Sequence, residues 1–205
     1  MGAMDFEILL QQIINGLVLG SVYALVALGY TMVYGVLGLI NFAHGEVVMI
    51  GALSALTLGG ILQQLLPGLP GPVLLLLATL LAIPACMALG YAIERVAYRP
   101  LRYAPRLAPL ITAIGVSILL QNTAMVVWGR NYHSFPAYVS TEPFHFFGAT
   151  MTPVQVVIVL VAVAIMGSLM FLVHRTRLGR AMRATAENQS IAGLMGVDIN
   201  AIISI

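Results

Sequence analysis

Long uninterrupted apolar runs alternate along this chain with short segments that gather nearly all of its charge. Four stretches contain no Asp, Glu, Lys or Arg: residues 8–40, 47–93, 107–129 and 143–173. A helix needs about 20 apolar residues to cross a bilayer core. The second stretch holds two such lengths, divided by Pro67-Gly68-Leu69-Pro70-Gly71-Pro72, a helix stop and turn. The pattern predicts an all-α, polytopic transmembrane bundle with five spans, near 13–36, 47–66, 73–93, 107–128 and 153–173. Ala201-Ile202-Ile203-Ser204-Ile205 reads as the start of a sixth. Residues 1–205 are expected to be one transmembrane domain, truncated at the C-terminus, with a cytoplasmic segment at 174–200.

Composition agrees with lipid as the main solvent. The chain is 60% hydrophobic and 8% charged, against about 25% charged residues in a soluble domain. Lysine is absent, so all nine cationic residues are arginines. The net charge of +2 gives no reason to expect nucleic acid as a partner. Cys86 is the single cysteine, which excludes an intrachain disulfide and a cysteine-rich metal site. In its apolar run it reads as a packing residue. The acidic N-terminus, Met1 to Glu7, and the length of the run behind it do not fit a cleavable signal peptide.

The placement of the arginines orients the spans. Arg95, Arg99, Arg102 and Arg106 lie between spans three and four, and Arg175, Arg177, Arg180 and Arg183 follow span five. The positive-inside rule puts both groups in the cytoplasm. The N-terminus, the Pro67 turn and the 129–152 loop are then outside, with Trp128 at an outer boundary and Tyr30 and Tyr34 near an inner one. Small residues form a face on span one (Gly16, Gly20, Ala24, Ala27) and on span two (Gly51, Ala55, Gly59). Both predict close helix packing. Pro84 is expected to bend span three.

Three segments carry polar groups that could serve a function. In Gly38-Leu39-Ile40-Asn41-Phe42-Ala43-His44-Gly45-Glu46, Gly38 can end one helix and Asn41 can cap the next. Glu46 would lie in its first turns, where its charge is favoured. The plain reading is a capped inner turn. The sharper one is a broken helix lining a pathway, since irregular backbone at membrane depth survives only against protein or a water-filled cavity. His44 and Glu46 lack the spacing and third ligand of a zinc site. Span four carries Thr112, Ser117, Gln121 and Asn122, for which interhelical or back-bonded hydrogen bonds are the default and pathway lining the alternative. The third segment runs from Arg177 to Asp198, with helical composition from Gly179 to Met195, a stop at Gly196, and Asp198 or Asn200 as the next cap. Such a segment could lie on anionic lipid through its arginines or present a small-residue surface to a partner.

This last segment resembles the cytoplasmic coupling loop of ABC importer permeases, with Ala184, Ala186, Glu187, Asn188, Ala192, Gly193 and Gly196 in matching positions. Three further stretches resemble the branched-chain amino acid permease family. They are Asn15 to Leu25, Ile40 to Glu46 with Met49 and Gly51, and Ile93 to Arg102. Permeases for urea and short amides share Ala43-His44-Gly45-Glu46, so that loop alone does not fix the substrate.

The resemblance implies a subunit that moves branched-chain amino acids across a bacterial inner membrane and performs no chemistry itself. It implies two cytoplasmic ABC ATPases, a second similar permease, and a periplasmic or lipid-anchored substrate-binding protein. No cofactor is expected in this chain; a nucleotide-binding P-loop needs lysine, so ATP would be bound by the partners. Arg180, Arg183 and Glu187 join the matching residues as the expected ATPase contact. Asn41, His44, Glu46, Thr112 and Ser117 are the candidate pathway residues. An ion-coupled secondary transporter would place acids within its spans, whereas here Glu46 alone comes close, at a span end. An intramembrane hydrolase would need an activated nucleophile, and no Gly-x-Ser-x-Gly occurs.

Overall fold

The computed structural model describes residues 3–38, 40–101, 104–105, 107–139, 142–146 and 148–204. Among the described residues, eight α-helices carry most of the chain: α1 (Ala3–Leu37), α2 (His44–Leu65), α3 (Gly71–Ile93), α4 (Leu107–Trp128), α5 (Pro153–Arg175), α6 (Arg177–Glu187), α7 (Gln189–Leu194) and α8 (Ile199–Ser204). Five segments among the described residues are long and apolar enough to cross a membrane: Phe6–Val36, His44–Leu65, Gly71–Leu101, Leu107–Trp128 and Pro153–Arg175. The chain is an all-α, multi-pass membrane protein. Of the two basic groups, Arg102 and Arg106 lie outside the described residues.

Two compact units divide the chain. One comprises Met1–Gly29 with Val139–Arg180, the other Tyr30–Tyr138 with Ala181–Ile205.

In the first unit, α5 opens on a capping box. Thr152 Oγ1 accepts from the Gln155 N–H, and Gln155 Oε1 accepts from the Thr152 N–H, with Pro153 at the first helical position. Ahead of it stands a short antiparallel hairpin that the hydropathy pattern did not predict: β1 (Phe144–Phe146) against β2 (Ala149–Met151), with His145 opposite Thr150. Gly148, at φ +84°, makes its tight turn. Gln11 of α1 clasps β2 through both amide atoms, its Nε2 donating to the Thr150 carbonyl (3.1 Å) and its Oε1 accepting from the Thr150 N–H (2.8 Å). Of the small face expected on span one, the two glycines make no close approach among the described residues. Nothing lies within 4 Å of where a Cβ would stand at Gly16 or Gly20.

In the second unit, α2 and α3 form a hairpin through Pro67–Pro70, where the Leu69 N–H bonds the Leu66 carbonyl and Pro72 stands in the first turn of the new helix. Here the small face does its expected work. A Cβ at Gly51 would stand 2.9 Å from Cys86 Sγ, and Ala55 is buried. Cys86 thus packs against the α2 backbone. Gly59 and Gly71 both leave room for Tyr138, whose ring lies over Gly59 and whose backbone crosses Gly71. Helix α3 continues through Pro84. It then winds into a π-helix (Glu94–Tyr98) and a 3₁₀ turn (Arg99–Leu101), neither of which the sequence signalled.

Candidate functional site

The break between α1 and α2 is built residue by residue. Gly38, at φ +67°, ends α1 by returning its N–H to the Tyr34 carbonyl (2.8 Å). Asn41 acts differently from the expected helix cap. Ala43, not Asn41, is the cap residue of α2, and it makes no side-chain cap bond. Asn41 Oδ1 accepts from the Ala43 N–H (3.0 Å), while its carbonyl accepts from the His44 N–H (3.1 Å). This folds the chain as an Asx turn one step ahead of the helix. The Tyr98 hydroxyl donates to the same Oδ1 at 2.5 Å.

Each residue of Ala43-His44-Gly45-Glu46 has a distinct contact. Ala43 is fully buried. The His44 ring meets Tyr30 edge-on, with centroids 4.7 Å apart. A Cβ at Gly45 would stand 3.4 Å from the Tyr30 hydroxyl. Glu46 Oε1 accepts two bonds from α4, one from Ser117 Oγ (3.0 Å) and one from Gln121 Nε2 (2.6 Å).

These bonds set the register between α2 and α4. Eleven residues beyond Glu46, Thr57 Oγ1 accepts from Trp128 Nε1 at 2.8 Å, so the two helices run parallel. Ser117 lies ten residues into α4, about 15 Å along its axis at 1.5 Å per residue. The first turn of α2 therefore sits beside the middle of α4.

Of the polar residues in α4, Ser117 and Gln121 reach across to Glu46, while Asn122 and Thr123 bond back to the carbonyls of Ile118 and Leu119. Gln121, named with Ser117 among the polar residues of span four, was left out of the candidate pathway set. Its spacing of four from Ser117 places both on one helix face, a signal that was available. Thr112, five residues before Ser117, is rotated about 140° from that face and does not join the cluster. A cavity of about 470 Å³ opens beside Glu46 and Gln121, bounded by Met49, Leu53, Met125 and Tyr132.

The second candidate segment begins with a sharp turn after α5. Thr176 Oγ1 donates to the Leu172 carbonyl (2.6 Å) and accepts from the Gly179 N–H (3.0 Å). A Cβ at Gly179 would collide with the carbonyls of Leu172 and Val173, so the turn requires glycine. The single helix expected over 179–195 is instead two, α6 and α7. They are broken at Asn188, whose extended backbone stops α6 and whose Oδ1 accepts from the Ile191 N–H (3.1 Å) to cap α7. Gly196, at φ +86°, ends α7, and Asp198 Oδ1 accepts from the Ala201 N–H (3.1 Å) to open α8; both agree with expectation. Arg180, Arg183, Ala184, Ala186, Glu187, Asn188, Gly193 and Gly196 are exposed, while Ala192 is buried. Leu194 and Met195 are 86% and 81% exposed. Their apolar surface was missed as a candidate contact because the sequence alone left the phase of α7 undetermined.

Helical spans, a break between α1 and α2 held by Asn41 and Tyr98, and a broken helical segment after α5 define a polytopic membrane protein. Residues 12–205 match the family described as the branched-chain amino acid transport system permease component, and the chain belongs to that family. It is 44% identical over 204 residues to the high-affinity branched-chain amino acid transport system permease protein BraD of Pseudomonas aeruginosa, covering 96% of this chain and 65% of that protein. It is 42% identical over 206 residues to the corresponding permease LivH of Escherichia coli, covering 98% of this chain and 66% of that one. The chain thus spans just under two thirds of the length of these relatives. No solved structure matches it.

Proposed function

We propose that this chain is the permease subunit of an ABC importer that carries branched-chain, aliphatic amino acids into the cytoplasm of a bacterial cell across its inner membrane. ATP is hydrolysed by partner subunits, and this chain makes or breaks no covalent bond. The observation that carries the reading is the break between α1 and α2, closed by Asn41 and Tyr98 and tied to α4 through Glu46. Its presence in a chain of this family gives a polar station within an apolar bundle. Permeases for urea or short amides are the second reading, favoured only by the shared Ala43-His44-Gly45-Glu46 stretch.

In this reading the N-terminus and the 129–152 loop face outward, and 174–200 face the cytoplasm. Asn41, His44, Glu46 and Ser117 line the path, with Thr112 on a different face of α4. Two ABC ATPases grip the segment around Arg180, Arg183, Glu187 and Asn188. A second similar permease completes the path, and a periplasmic or lipid-anchored binding protein delivers substrate to the outer loop. The exposed position of α6 and α7 supports the coupling role, as does the capped break between them, which gives a docking partner two rigid arms set by one residue. Alternating access then follows when nucleotide-driven closure shifts the balance between states that differ in affinity for the partner.

The test is ATP-driven leucine uptake and ATPase co-purification by the assembled complex. Arg180→Glu combined with Glu187→Arg is expected to lose both. Unchanged association and uptake would remove the coupling assignment. Labelling of introduced cysteines at 184 or 194 from the external face alone would reverse the orientation.

A further inference from the structure

The importer reading leaves open where the cargo rests. The cavity beside Glu46 has a specific chemical character. Its volume of about 470 Å³ lies within the range of roughly 300–1,000 Å³ usual for small-molecule sites. Met49, Leu53 and Met125 supply apolar, deformable wall. Glu46 and Gln121 supply polar groups from the helices, and Asn131, Tyr132 and His133 line the cavity from the loop that follows α4.

Glu46 is more than a structural hydrogen-bond acceptor. Among the described residues, both bonds to its carboxylate fall on Oε1. A neutral glutamine would accept the same two bonds, so helix pairing does not account for the charge. A carboxylate in the first turn of an apolar spanning helix is costly to desolvate and marks function when it is retained. Gln121, in turn, has two N–H donors, and one is spent on Glu46.

We propose that this cavity seats the transported amino acid through its zwitterionic end. Glu46 takes the ammonium group, the second amide N–H of Gln121 takes the carboxylate, and Met49, Leu53 and Met125 receive the aliphatic side chain. The inference rests on the importer reading and adds to it the residues that recognise the cargo. Leucine, isoleucine and valine differ only in the part that faces methionine and leucine side chains, so the site accepts all three. An amide or urea lacks the ammonium group and leaves the Glu46 charge unpaired, and it is rejected.

The test uses the chain assembled with its partner subunits in proteoliposomes. Glu46→Gln preserves both bonds from α4 and removes only the charge. Leucine uptake is expected to fall about tenfold or more, as when one partner of a desolvated charge pair is lost, while ATPase association persists. Uptake close to wild type would overturn the proposal. Should the variant fail to assemble, Leu53→Cys in a Cys86→Ala background decides the matter. Leucine at about four times its Kd is expected to slow modification by a small thiol reagent about fivefold, and an unaltered rate overturns the site. Wild-type complex that hydrolyses ATP but carries no leucine would instead strike the importer reading itself.

Discussion

The Tyr98 hydroxyl and Asn41 Oδ1 are 2.5 Å apart, joining the π-helical end of α3 to the irregular chain ahead of α2. The same oxygen holds the Ala43 N–H, so one side-chain atom sets both the local turn and its attachment to a neighbouring helix. Tyr98 is nearly buried, where a lost hydroxyl bond is not replaced by water.

Tyr98→Phe is therefore expected to destabilise the fold by about 1 kcal/mol, the net worth of one such bond. Amide exchange should rise at residues 41–44 before it rises elsewhere. Uniform exchange across α2 and α3 would show that the bond does not hold the break.

The contact between Gly51 and Cys86 predicts a size-compensated pair. Gly51→Ala puts a methyl 2.9 Å from Cys86 Sγ, and overpacking of this kind costs about 1–3 kcal/mol. Cys86→Ala removes the sulfur and should recover most of that loss in the double variant. Thermal unfolding of the four proteins in detergent measures the coupling; additive effects would count against the contact.

Asn188 predicts a change confined to the cytoplasmic segment. Asn188→Ala removes the α7 cap at about 1 kcal/mol, while Asn188→Asp preserves an acceptor. The alanine variant should fray α7, seen as faster exchange at Ile191 and Ala192, and should weaken ATPase co-purification. The aspartate variant should retain the helix.

Gly179 predicts a stricter requirement than Gly16. Any side chain at Gly179 meets the carbonyls of Leu172 and Val173, whereas a Cβ at Gly16 meets nothing among the described residues. Gly179→Ala should lower stability and reposition the start of α6. Gly16→Ala should be neutral or slightly stabilising within a helix. A cross-link between cysteines placed at 172 and 180 would report the first change.

Much of this organisation was legible in the linear chain. The five spans follow from charge-free runs long enough for a bilayer, and their ends fall within a few residues of the helices, apart from the early start of α1 at Ala3. Gly38, Gly196 and Asp198 act as the sequence indicates because stops and caps are local: one backbone dihedral or one side-chain bond decides each. The amphipathic character of 177–187 is local for the same reason.

Tertiary structure decided what depends on register between distant helices. Hydropathy counts residues along one span and carries no information on its height relative to another, so it could not say which part of α4 the first turn of α2 meets. The bonds from Ser117 and Gln121 to Glu46, 71 and 75 residues away, settle that height. They also recruit Gln121 and leave Thr112 aside. Asn41 shows the same division: its sequence position fits a helix cap, but the hydroxyl of Tyr98, 57 residues on, meets an oxygen already committed to the preceding turn.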